Sequence, residues 1–148
     1  MKKRTRCISW AGAAVVAALA AIQLAPVSRT NPPVRTGVAA PAGVDEILRR
    51  ACYDCHSNET RWPWYSYVAP ASWFVVRHVN HGRGDLNFSE WPAFDFEAEE
   101  HAFRDIEEQV SNGEMPLRNY IWLHADAKLS KDDRDTLLRW ARSQGASN

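Results

Sequence analysis

Gly43-Val44-Asp45-Glu46-Ile47-Leu48-Arg49-Arg50-Ala51-Cys52-Tyr53-Asp54-Cys55-His56 is the stretch from which the rest of the chain can be read. Val44, Ile47, Leu48 and Ala51 recur at helical spacing, which predicts a short helix with one apolar face. That helix delivers its C-terminal end onto Cys-x-x-Cys-His, two thiols followed at once by an imidazole. Thiols so placed on a turn can each add to one of the two vinyl groups on a porphyrin edge. The adjacent imidazole then comes up beneath the iron. The motif predicts one covalently attached haem c, held by Cys52 and Cys55, with His56 as the proximal iron ligand.

Other chemistries fit these residues less well. A zinc site wants four ligands; His78-x-x-His81 is too tightly spaced for the usual finger, and there is no second Cys pair. A thioredoxin-type dithiol wants a βαβ setting, which the pattern does not offer. A plain disulfide between Cys52 and Cys55 leaves His56 without a role.

Haem iron has a sixth position, and Met115 is the only methionine besides the initiator. It lies in Gly113-Glu114-Met115-Pro116, outside any apolar stripe, and a thioether is a soft ligand that favours ferrous iron. Met115 is the expected distal ligand. His78 and His124 are the alternatives, because each stands beside aromatic residues that could line a pocket. Seven Trp is a large number for 148 residues. Trp62, Trp64, Tyr65 and Trp73 are read as pocket wall, since large rings can screen a flat apolar cofactor from water.

Outward from the motif the pattern stays helical. An apolar, uninterrupted run predicts a helix over 71–80, ended by a loop at Gly82-Arg83-Gly84-Asp85. A further helix is expected over 97–111, with Phe103, Ile106 and Val110 on one face and Asn112-Gly113 as a left-handed stop. Ser130 and Asp133 form a capping box for a last helix that carries Leu137, Leu138, Trp140 and Ala141 on one stripe. No period-two alternation suggests a strand. The expected fold is all-α, a small helical domain around one haem.

Three segments are expected: an anchor over 1–25, a linker over 26–42 and the haem domain over 43–148. Lys2, Lys3, Arg4 and Arg6 precede an apolar run from Ile8 to Leu24. A basic flank before an apolar core is the layout of an export signal or a single-pass signal anchor. Neither Gln23-Leu24-Ala25 nor Val38-Ala39-Ala40, each followed by proline, is a good cleavage site. The expectation is an uncleaved transmembrane helix in a bacterial inner membrane, with the haem domain in the periplasm and Cys7 a bystander. Pro26 to Pro41 carries four prolines and no aromatic residue, and reads as an extended tether. With those four basic residues set aside, 14 basic stand against 18 acidic groups, which excludes a nucleic-acid-binding profile.

From about Ile22 to Trp140 the chain resembles the bacterial haem-binding domain family, small exported proteins related in layout to class I cytochromes c. The resemblance is carried by Arg29-Thr30-Asn31-Pro32-Pro33, Cys52-Tyr53-Asp54-Cys55-His56-Ser57-Asn58-Glu59-Thr60, Trp62-Pro63-Trp64-Tyr65, Leu86-Asn87-Phe88-Ser89-Glu90-Trp91, Gly113-Glu114-Met115-Pro116 and Leu129-Ser130. It implies one covalent haem with His56 proximal. The expected function is electron transfer with redox partner proteins rather than catalysis. A haem-based sensor of small ligands or a peroxidase-like enzyme is the alternative, and a redox-inert module with a Cys52–Cys55 disulfide is a third.

Overall fold

The computed structural model describes residues 2–145; Met1 and residues 146–148, the outer ends of the expected anchor and haem domain, lie outside the described residues. Among the described residues the chain forms seven α-helices and no strand, which agrees with the all-α expectation. They are α1 (Lys2–Ile22), α2 (Ala42–Ala51), α3 (Tyr53–His56), α4 (Ala71–Asp85), α5 (Phe96–Ser111), α6 (Arg118–Leu123) and α7 (Lys131–Gly145). They fall into two compact units: Met1–Arg29 with Trp62–His78, and Thr30–Arg61 with Val79–Asn148.

The second unit holds a single core. α2 contributes Val44, Ile47, Leu48 and Ala51, as its spacing requires, and α5 contributes Phe103, Ile106 and Val110. α7 closes the core with Leu137, Trp140 and Ala141. Leu48 and Leu137 are almost completely removed from water, and burial of a leucine side chain contributes ~1.5–3 kcal/mol. Rings connect the core from one end to the other: Tyr53 stacks on Phe88 (5.3 Å between centroids), Phe88 on Trp91 (6.0 Å), and Trp91 packs against Phe103 (5.0 Å).

Helix ends follow their residues. Asp95 accepts from the Ala98 amide at 3.1 Å and starts α5. Ser130 and Asp133 exchange the two bonds of a capping box, at 2.9 and 3.0 Å, and start α7. Gly113, at φ +70°, supplies the left-handed residue that stops α5.

Two expectations need correction in this unit. α4 does not end at a loop beginning with Gly82 but continues to Asp85. Gly82 is there for space: a Cβ on it would stand 2.7 Å from the Cys55 carbonyl oxygen, so only glycine lets the helix pass the motif this closely. Nor is the Pro-rich segment a free tether over its whole length. The Arg35 and Thr36 amides donate to the Ser89 carbonyl at 2.9 and 3.2 Å, and Trp91 N–H returns to the Thr36 carbonyl at 2.8 Å. The prolines keep this strip extended, and an extended backbone leaves its remaining polar groups free to pair with 88–91.

Arg83 binds the same region together. Its Nε donates to the Ser57 carbonyl at 2.7 Å and its Nη1 to the Thr30 carbonyl at 2.9 Å. Nη2 reaches Asn31 Oδ1 at 3.0 Å and Thr60 Oγ1 at 2.9 Å.

In the first unit α1 forms as expected, but among the described residues no helix is long and apolar enough to cross a membrane. Lys2, Lys3, Arg4 and Arg6 occupy the first positions of α1. The apolar remainder, residues 7–22, is about 24 Å long at ~1.5 Å per residue, against a hydrocarbon thickness of about 30 Å. The transmembrane expectation finds no support in a helix of that length.

Two substitutions in α4 separate the role of its glycines. Gly82→Ala forces backbone against backbone and is expected to destabilise by about 2 kcal/mol. Gly84→Ala meets nothing within 4 Å and is expected to stabilise by about 0.5 kcal/mol. Urea denaturation of the two variants checks the opposite signs. In the same assay Arg83→Ala is expected to cost about 2–3 kcal/mol by leaving four acceptors without their donor, and Arg83→Lys to recover only part of it.

Candidate haem site

α2 ends where the motif begins. The Cys52 amide donates to the Leu48 carbonyl at 2.8 Å, and the chain then restarts as α3. The amides of Cys55 and His56 both donate to the Cys52 carbonyl, at 3.1 and 2.9 Å. Cys52 and His56, four positions apart on one turn, share a face. Both line a cavity of about 410 Å³, within the range of small-molecule and cofactor sites.

The walls of the cavity come from every part of the second unit's core. Leu48 and Ala51 of α2, Ile106 and Val110 of α5 and Leu137 of α7 make it apolar. Leu86 and Phe88 flank His56, while Met115 and Pro116 enter from the loop after α5. Asp85, Asp105 and Gln109 are its polar points.

His56 is held in one protonation pattern. Its Nδ1–H donates to the Leu86 carbonyl at 3.1 Å, because a carbonyl can only accept. Burial lowers its pKa below the ordinary imidazole value, opposed by the carbonyls of Leu86 and Gly82. The ring is therefore neutral at neutral pH with the Nε2 lone pair available to a metal. The Phe88 amide donates to the His56 carbonyl at 2.8 Å and fixes the main chain as well.

The two thiols are free and half-buried. Burial pushes Cys52 up to about 12 and Cys55 up to about 11, the Cys52 shift reinforced by Cys55 and the Cys55 shift by Asp54. Both are protonated thiols at neutral pH, unlike the thiolates of zinc sites and of thioredoxin-type pairs. Among the described residues no group of three or more His, Cys, Asp or Glu could hold a metal ion, so no zinc site is assembled. Cys52 and His56 line the cavity and Cys55 does not; a neutral thiol and a neutral imidazole at an apolar cavity, with a second neutral thiol on the same turn, fit haem.

Asp54, between the two cysteines, is gripped from outside. Arg61 donates to both carboxylate oxygens at 3.1 Å, and Tyr120 OH donates to Oδ2 at 2.9 Å. Burial, with Asp54 adding to it, raises the Tyr120 pKa and keeps the phenol a donor. Beyond the motif Ser57 Oγ donates to the Tyr53 carbonyl at 2.7 Å, and Asn58 Nδ2 to the Pro33 carbonyl at 3.0 Å.

Met115 is placed by the end of α5. Gly113 turns the chain, and the amides of Glu114 and Met115 both donate to the Gln109 carbonyl, at 3.0 and 3.2 Å. Cys52, His56 and Met115 are thus brought to one cavity.

The histidine alternatives are not. His124 donates from Nδ1 to the Tyr120 carbonyl at 3.1 Å with its ring stacked on Tyr120, and it does not line the cavity. His78 belongs to the first unit, where its Nδ1 bonds the Phe74 carbonyl at 2.9 Å. Trp62, Trp64, Tyr65 and Trp73 are also in the first unit, whereas the cavity lining is drawn wholly from the second. The aromatic ring in that lining is Phe88. Gly82, Leu86 and Gln109 are the site residues that sequence reasoning missed. Only Gly82 left a signal, as a glycine following directly on a helical pattern.

No curated protein and no solved structure matches the chain. The profile of the haem-binding domain family matches residues 17–143, which include the whole cavity, and the chain belongs to that family.

Proposed function

We propose that the second unit is a monohaem c-type cytochrome domain that carries electrons between redox partner proteins in an extracytoplasmic compartment. The observation that carries this reading is the meeting of Cys52, His56 and Met115 in the lining of one apolar cavity. When bound, haem supplies an iron that exchanges one electron between its ferric and ferrous states.

The chain's residues divide the work of holding it. Cys52 and Cys55 fix the group through thioether bonds. His56 presents Nε2 as proximal ligand, oriented by its bond to Leu86. Met115 offers its sulfur as distal ligand, which favours the ferrous state and raises the potential. The apolar walls exclude water. With both His56 and Met115 available to hold the iron, peroxide or oxygen would find little room to bind it, which favours electron transfer over the sensor or peroxidase reading. Export fits the basic-then-apolar order of α1 and the thiol pair, since α1 can serve as an address without spanning a bilayer.

Covalent attachment is tested on the full chain matured in a host that makes c-type cytochromes. Haem is expected to stay with the polypeptide through acid-acetone extraction and denaturing electrophoresis, and to be lost in Cys52→Ala/Cys55→Ala. Cys7→Ala is expected to keep full haem content. Colourless wild-type protein after extraction overturns the reading.

The distal ligand is tested by spectrum and potential. Met115→Ala is expected to abolish the weak sulfur-to-iron band at the red end of the visible spectrum, lower the midpoint potential and admit carbon monoxide. His78→Ala and His124→Ala are expected to leave all three unchanged. Carbon monoxide binding by the wild-type protein instead supports the sensor reading.

A further inference from the structure

The first unit is built unlike the second. Lys2, Lys3, Arg4, Arg6, Arg29 and Arg77 lie in it, and no acidic residue does. The other 12 basic residues and all 18 acidic ones belong to the second unit, so a chain of zero net charge divides into +6 and −6.

Its burial is also inverted. The buried residues of 62–78 are Ser66, Ala69, Ser72 and Val76. The large rings are outside: Trp64 is 78% exposed, Tyr67 59%, Phe74 55% and Trp73 39%. On α1, Trp10 and Val16 are exposed as well, at 76 and 67%, as is Leu24 just beyond it, at 84%. A water-facing unit would reverse this arrangement, and exposed apolar surface on this scale marks an interaction site.

The ring-bearing segment is fixed to the C-terminal end of α1. Gln23 donates from Nε2 to the Ala69 carbonyl at 3.0 Å and accepts the Ala69 amide on Oε1 at 2.9 Å. Arg29 donates to the Ser66 carbonyl at 3.0 Å, with its guanidinium 4.5 Å from the centre of the Tyr67 ring. These bonds tie the ring-bearing segment to the chain just after α1.

The geometry points to an anionic lipid bilayer as that partner, with Trp64, Tyr67, Trp73 and Phe74 seated at the boundary of headgroups and acyl chains and Arg29 and Arg77 against headgroup phosphates. Trp and Tyr suit that depth, having an apolar body and a polar edge. A uniformly basic unit is drawn to anionic lipid, by about 1 kcal/mol per Lys or Arg near the surface. Seating of the rings at the interface asks for no membrane span. The inference is drawn from the first unit alone, and its labelling test rests on the proposed function in that Cys52 and Cys55 are bound to haem.

The test uses the full-length holoprotein in a Cys7→Ser background, where Cys52 and Cys55 are consumed by haem. A nitroxide is attached at Tyr67→Cys or Phe74→Cys, and the unchanged haem spectrum certifies the fold. On vesicles of phosphatidylethanolamine and phosphatidylglycerol, collisions of the label with oxygen are expected to exceed those with a water-soluble nickel chelate, the reverse of the order in solution. Arg77→Gln is expected to weaken vesicle binding about fivefold, and that loss to vanish on vesicles of phosphatidylcholine. Labels that remain open to the nickel chelate on vesicles, or vesicle binding that ignores phosphatidylglycerol, overturn the inference. Spin–spin broadening between labels that grows with protein concentration also overturns it, by showing that a second copy of the chain covers the rings.

Discussion

His56 Nδ1 and the Leu86 carbonyl oxygen stand 3.1 Å apart, and much of the second unit serves to keep them there. One bond sets both the tautomer and the orientation of the imidazole, so the nitrogen left bare faces the cavity. Leu86 reaches His56 because α4 runs past Cys55 at van der Waals distance, which Gly82 alone permits. The next residue, Arg83, binds the carbonyl of Ser57, the hydroxyl of Thr60 and the strip at Thr30 and Asn31. The turn bearing both thiols is held by the backbone of α4 and by the Arg83 guanidinium, while Cys52 and His56 line the apolar cavity. Rigidity on one side and space on the other is what a large planar group requires of its socket.

The parts of this arrangement that could be read in the sequence are those whose physics is local. Cys52, Cys55 and His56 are neighbours in the chain, and their chemistry needs no tertiary contact to be recognised. The same is true of the Ser130–Asp133 capping box and of Gly113, each a contract between residues a few positions apart. What escaped was long-range. Gly82 and Gly84 read as a loop, because two glycines in three positions signal a break, and nothing local says that one of them faces the backbone of Cys55, 27 residues away. Leu86 was invisible for a plainer reason: its contribution is a main-chain oxygen, which every residue possesses.

The aromatic residues show where composition stops informing. That rings suit a flat cofactor is an argument from composition, and for Trp62, Trp64, Tyr65 and Trp73 it contains no information about position. The cavity is in fact lined mostly by aliphatic side chains with Phe88 beside His56. The rings belong to a unit in which serine, alanine and valine are inside and tryptophan is outside. Counting aromatic residues located an unusual property of the chain, and the count does not say how the rings divide between its two units.

The order of elements along the chain has a consequence for biogenesis. Cys52, Cys55 and His56 are synthesised together, but the carbonyl that orients His56 comes thirty residues later, and α7, which supplies Leu137 to the cavity wall, comes later still. A chain emerging N-terminus first exposes both thiols and an imidazole of undetermined tautomer well before their socket exists. Throughout that interval the motif is an unfolded, oxidisable peptide, and its safekeeping falls to whatever attends the chain during delivery rather than to the fold itself.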